Sequence, residues 1–141
     1  MSTVTDATTR TAQCGCGALS FNVSGEPKHV YTCSCTNCQR ESGSAFTYCA
    51  IYSDSAVNTL GDPKLWRRST TESGRWIESG FCPSCGVTVF FRMEAWPNVV
   101  GVSVGCFADP GFAQPSQHYW ASRKHAWLSV PDGTEVLSSQ D

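Results

Sequence analysis

Seven of the nine cysteines in this chain fall into three tight groups: "CGC" at 14–16, "CSCTNC" at 33–38 and "CPSC" at 82–85. Sulfurs crowded this closely either oxidise in pairs or share metal ions, and either outcome ties distant parts of the chain together. The odd total argues against a disulfide framework, and a bridge within Cys14-Gly15-Cys16 would be strained. The opening residues, "MSTVTDATTR", have neither the basic start nor the apolar stretch of an export signal. The expected compartment is therefore the reducing cytoplasm, where grouped cysteines bind metal more often than they pair.

The group at Cys82 and Cys85 is the clearest. A Cys-x-x-Cys turn followed by Gly86 aims both sulfurs at one point, as in a zinc knuckle. Its rival is a redox dithiol, which would want a strand-to-helix setting, whereas "VTVFFRM" after it reads as a strand. One knuckle supplies two thiolates and tetrahedral zinc needs four. Cys14 and Cys16 are the economical source of the other two. The first expected site is therefore Cys14, Cys16, Cys82 and Cys85, a closed structural centre stapling the first strand to the middle of the sheet.

Cys33, Cys35 and Cys38 are then left with three sulfurs. Zinc on three protein ligands with one position open is the mark of a catalytic site. The alternatives are closure by Cys49, Cys106, His118 or His125, or a metal-free thiol cluster. Cys49 and Cys106 sit in apolar strand patterns, where lone cysteines are usually small core residues. Three thiolates bring a divalent ion to a formal charge of −1 and make it a weak Lewis acid. Such an ion suits an incoming soft sulfur better than a water, and a coordinated thiol loses its proton to become the nucleophile. A small electrophile such as an aldehyde, held beside it, would be attacked in an oriented encounter.

The rest of the chain reads as short strands cut by turns. "ALSFNV" places Leu19, Phe21 and Val23 on one face. "HVYTC", "AFTYCAIY", "AVNTL", "LWRRST", "RWIESGF", "VTVFFRM", "VVGVSVGCF" and "QHYWAS" follow, with a turn at Glu72-Ser73-Gly74. Helix is expected only for a turn or two after Cys35, ended by Gly43, and near Phe107 to Phe112. The fold class is all-β. With 141 residues, 40% apolar and 16% charged, one domain over 11–130 is expected. A disordered tail at 1–10 and a loose tail at 131–141 flank it. A net charge of −2 and the lack of a basic run argue against a nucleic-acid partner. No stretch reaches the length of a membrane helix, and nothing indicates an oligomer.

The three groups in this order, "CGCG" at 14–17, "CSCTNCQRESGSAF" at 33–46 and "FCPSCG" at 81–86, with the later "PSQHYWASRKHAWLSV", resemble the glutathione-dependent formaldehyde-activating enzyme family, which shares its domain with centromere protein V. The resemblance spans about residues 11 to 130. It implies a β-tent of antiparallel sheets around two zinc ions per chain. The structural zinc would sit on Cys14, Cys16, Cys82 and Cys85, and the second on Cys33, Cys35 and Cys38 as catalytic ligands. The implied reaction adds glutathione, the co-substrate, to formaldehyde to give S-hydroxymethylglutathione, a carbon–sulfur bond-forming step classed with the lyases. Partners would be a small-molecule thiol and aldehyde.

Beyond the cysteines, Arg40 lies next to the triplet and could pair with a glutathione carboxylate. Arg67, Arg68, Arg123 and Lys124 read as solvated surface. Trp66, Trp76, Trp120 and Trp127 read as core or sheet-face packing rather than pocket lining. Ser42 and Ser44 could bond a sulfur or substrate. His118 is either an acid–base group or, on the plainer reading, a satisfied structural histidine. The rival function is a zinc-stapled binding module with both metals structural, and the missing basic extension speaks against its cytoskeletal or DNA-binding form. A thiol redox protein is the weaker third reading.

Overall fold

The computed structural model describes residues 8–69 and 74–139. They form eleven strands and one short helix: β1 Thr9–Gln13, β2 Ser20–Ser24, β3 His29–Cys33, α1 Thr36–Ser42, β4 Thr47–Ser53, β5 Val57–Leu60, β6 Lys64–Arg68, β7 Ile77–Phe81, β8 Thr88–Met93, β9 Trp96–Ser103, β10 Gln117–Tyr119 and β11 Glu135–Val136. Two open sheets result, a small one ordered β1-β2-β5 and a large one ordered β11-β10-β3-β4-β9-β8-β7-β6. The all-β reading stands. Most pairs are antiparallel, but β10 runs parallel to both β3 and β11 at one edge of the large sheet.

The small sheet leans on the large one through the face that the sequence marked. Leu19, Phe21 and Val23 are each 1% exposed or less. Phe21 stacks on Phe90 of β8 with ring centroids 4.5 Å apart. Phe90 in turn lies over Gly80, its cross-strand partner on β7. A Cβ at Gly80 would come within 2.1 Å of that ring, so glycine is the residue that lets the aromatic layer close. Gly61, at φ +96°, turns β5 into the next segment, and a Cβ there would meet the Ala18 carbonyl oxygen at 2.2 Å.

β4 lies inside the large sheet and is buried along both faces: Ala50 and Tyr52 face the inter-sheet core, while Cys49 and Ile51 pack with Val99 in a second cluster. The alternation of "AFTYCAIY" thus separates two buried faces rather than a wet one from a dry one, as interior strands allow.

Several local expectations shift. The helical turn expected near Phe107 to Phe112 lies earlier, at Val104–Phe107, because Ala108 takes a left-handed conformation and Asp109 opens a turn whose carboxylate accepts from the Gly111 amide. The "QHYWAS" strand stops at Tyr119, since Trp120 is also left-handed. Glu72 and Ser73 of the expected turn lie outside the described residues, as do 1–7 of the expected N-terminal tail. Thr9 and Arg10 already belong to β1, and Glu135–Val136 of the C-terminal segment form β11. The tryptophan reading fails in part: Trp66 is 50% and Trp127 72% exposed. Trp66, Trp76 and Trp120 face the guanidinium groups of Arg68, Arg67 and Arg123, a contact that tolerates water on the outer side.

Candidate metal centres and active site

Two cysteine groups assemble, with the membership that the spacing implied. Within Cys14, Cys16, Cys82 and Cys85, and again within Cys33, Cys35 and Cys38, the sulfurs all lie within 4.8 Å of one another. None is paired in a disulfide.

The four-sulfur group joins two turns. Cys14 and Cys16 flank the bend that leads to β2, and Cys82 and Cys85 form the bend between β7 and β8. There the Gly86 amide closes onto the Cys82 carbonyl at 2.8 Å, with Gly86 at φ +80°. No helix follows Cys85, which removes the dithiol setting. The Sγ atoms of Cys14 and Cys16, and of Cys16 and Cys82, are 3.7 Å apart. Four sulfurs placed tetrahedrally at about 2.3 Å from zinc would be about 3.8 Å apart, so this group fits the ion. Amides of Leu19 and Ser84 donate to the sulfurs of Cys14 and Cys82 at 3.3 and 3.4 Å, as suits thiolates.

The triplet has a different origin. Cys33 ends β3, Cys35 caps α1, and Cys38 sits in its first turn. The Cys35 sulfur accepts from the Cys38 amide at 3.2 Å, and Gly43, left-handed, ends the helix as expected. Cys33 is buried, while Cys35 and Cys38 are half-buried. Hydrogen bonds from Cys33 and Cys38, then from backbone amides, bring the Cys35 thiol down to about 3 despite burial. The same contact with Cys35 pushes Cys33 up to about 12, and Cys38 is raised as well. Several sulfurs competing for one negative charge are relieved together by a cation between them, so the donor set fits a soft divalent ion.

Among the described residues no fourth His, Cys, Asp or Glu ligand joins this triplet. Cys49 is buried in the second core cluster. The half-buried Cys106 points its thiol at the Thr88 carbonyl. His125 packs at a tilt against Trp127, with ring centroids 5.6 Å apart. His118, 2% exposed, has both ring nitrogens engaged: Nδ1 lies 2.7 Å from the Thr32 hydroxyl and Nε2 lies 2.9 Å from that of Ser34. Of the two readings of His118, the satisfied structural histidine is the one observed.

Other residues around the triplet were silent in the sequence, except Arg68, whose reading as solvated surface the structure corrects: it is half-buried and paired. Gln39 donates its amide to the carbonyls of Ser34 and Arg123 at 2.7 and 3.0 Å. Glu41 accepts from the hydroxyls of Ser79 and Thr88 and pairs with Arg68 at 3.7 Å, and Arg68 also donates to Asn37. Both charged side chains of this pair are only 17% exposed. These bonds bracket α1 against β6, β7 and β8. Their partners are far away in sequence, and only their polarity could have hinted at them. Ser42 and Ser44 bond locally, Ser42 to the Gln39 carbonyl and the Ser44 amide to the Ser42 hydroxyl.

Two hollows flank α1. One, about 880 Å³, runs from Cys14 and Gly15 to Glu41 and Ser42 and is lined by no basic side chain. The other, about 480 Å³, is shallow and lies against Gln39, Arg40, Gly43, His125 and Trp127.

The model of a family described as glutathione-dependent formaldehyde-activating enzyme matches residues 9–123. The chain belongs to that family, whose described action is the glutathione-dependent activation of formaldehyde, and both are small molecules. Among solved structures, a Rhodobacter sphaeroides protein is similar in fold, with a TM-score of 0.55 and 21% identity over 73% of this chain and 90% of its own. No curated protein matches the chain. No helix among the described residues is long and apolar enough to cross a membrane.

Proposed function

We propose that this chain is a zinc-dependent enzyme of the carbon–sulfur lyase type, adding glutathione or a similar thiol to formaldehyde or another small aldehyde, in the manner of an S-(hydroxymethyl)glutathione synthase. The observation that carries this reading is the triplet of Cys33, Cys35 and Cys38: three sulfurs, two of them within reach of solvent, with no fourth ligand among the described residues. Zinc on these three residues would supply one open position that takes a soft sulfur and keeps it deprotonated at neutral pH. The second ion, on Cys14, Cys16, Cys82 and Cys85, is structural.

In the addition, the thiol sulfur bonds to the carbonyl carbon, the carbonyl π pair moves to oxygen, and the thiol proton ends on that oxygen. The chain's part is to place the two reactants. Arg40 is exposed beside the triplet, and its guanidinium offers a fork to a carboxylate of the thiol. The hollow at Arg40, His125 and Trp127 suits such an anion. The larger cavity does not, because its one charged lining residue is Glu41. His118 takes no part in moving the proton, since a nitrogen bonded to Thr32 or Ser34 is not offered to a substrate. We place the protein in the cytoplasm, where thiolates stay reduced.

The test is adduct formation from formaldehyde and glutathione, followed by NMR exchange spectroscopy. The wild-type chain should speed the exchange above the uncatalysed rate, and Cys35→Ser should abolish that gain. Equal rates for the two proteins would end this reading.

A further inference from the structure

Ser34 sits between two of the triplet's cysteines and is 0% exposed. A buried serine has three polar groups to satisfy: an amide, a carbonyl and a hydroxyl. All are taken by segments from elsewhere. Its amide donates to the Tyr119 carbonyl at 3.0 Å, and its carbonyl accepts from Gln39 at 2.7 Å. Its hydroxyl donates to the Ala45 carbonyl at 3.1 Å. That hydroxyl has one proton, so its contact with His118 Nε2 at 2.9 Å must be one in which the ring donates. A neutral imidazole protonated at Nε2 accepts at Nδ1, and the Thr32 hydroxyl at 2.7 Å is placed to give that bond. Burial, then the charge of Lys124, lowers the ring's pKa and so favours this neutral form. A one-directional chain results, from Thr32 through His118 and Ser34 to Ala45.

The chain's geometry bears on the sulfurs. β10 brings His118 beside β3 in parallel register, opposite Thr32, with Tyr119 opposite Cys33. Ser34 is thus fixed from the β10 side by His118 and Tyr119, from the β4 side by Ala45 and from α1 by Gln39. The side chains of Cys33 and Cys35 leave the backbone on either side of this clamp, so their directions are set before any ion arrives. Preset ligands lose less freedom on binding, which is why outer partners of metal ligands affect affinity.

We propose that Ser34 and His118 are positioning residues that hold Cys33 and Cys35 in a metal-ready arrangement through the hydrogen-bond chain Thr32–His118–Ser34–Ala45. The proposal rests on the reading of the triplet as a metal centre, but not on turnover of any aldehyde. Two measurements test it, neither of them an activity. In the cobalt(II)-loaded protein, Ser34→Ala should weaken metal retention at the triplet against a chelator by roughly 10- to 100-fold. It should also shift the ligand-field bands of that ion while leaving those of the four-sulfur ion unchanged. Wild-type retention and bands at the triplet would overturn the proposal. If the variant does not fold, the imidazole nitrogen chemical shifts of wild-type His118 decide. A ring protonated at Nε2 only at neutral pH supports the chain, and a ring protonated at Nδ1 overturns it.

Discussion

The two cysteine groups differ in how their sulfurs are delivered. The four-sulfur group takes two ligands from each of two tight turns, and its outermost members, Cys16 and Cys85, are exposed. The triplet takes one ligand from the end of a strand and two from the start of a helix, and its first member is buried. A turn can bend until its sulfurs meet, so a turn-built group completes its own coordination sphere. A strand and a helix are rigid, and three sulfurs from them leave one direction unfilled unless another element reaches over. None among the described residues does, and the polar bonds behind the triplet hold it in shape instead. On the function proposed above, the first arrangement suits a staple and the second a reactive site.

The comparison would break first at the staple. Cys82→Ser should unfold the domain or lower its stability by more than about 4 kcal/mol, the range in which loss of a structural metal falls, read as a fall in the thermal midpoint. Cys35→Ser should leave that midpoint nearly unchanged, and equal losses would erase the distinction between the groups. Next in size is Gly80→Ala. Its new methyl would strike the Phe90 ring, and overpacking of this kind costs about 1–3 kcal/mol. Because the bend between β7 and β8 carries Cys82 and Cys85, an ion at the four-sulfur group should then exchange faster with a chelator than one at the triplet.

Glu41→Gln sharpens the other half. It removes the charge that faces Arg68 and weakens the bracket on α1, at about 1–2 kcal/mol for a charge-assisted bond of a mostly buried pair. Hydrogen exchange should quicken in α1 and not around Cys14 or Cys82. The smallest effect is expected of Arg40→Ala, an exposed side chain. KM for glutathione should rise roughly three- to tenfold with kcat kept, a change of about 1 kcal/mol, and an unchanged KM would remove Arg40 from the thiol's path.

What could be read in advance follows the range of the interactions. The division of cysteines into four and three was legible because each group is set by spacing within a few residues and by a fixed ligand count. The buried face of β2 was legible because Leu19, Phe21 and Val23 alternate against polar neighbours. The short helix after Cys35 was legible, as was its end at Gly43, while the capping role of the Cys35 sulfur was not. Strand β1 was not, since "TRTAQ" is mostly polar and buries only Ala12 fully. The exposed faces of Trp66 and Trp127 were also missed. An aromatic residue suits a core and an arginine platform equally well, and the choice depends on what lies across the sheet. Ser34 and His118 are 84 residues apart, and nothing in the pattern around either names the other. Their meeting is a property of the parallel pairing of β3 with β10.

That pairing sets an order of events when the chain is made. Translation delivers the last staple ligand, Cys85, well before it delivers His118. A nascent chain can therefore seal its four-sulfur knot and fold the two-sheet core while the bed beneath the triplet is still inside the ribosome. The half of the molecule that carries the three-sulfur group matures last, on a frame already locked.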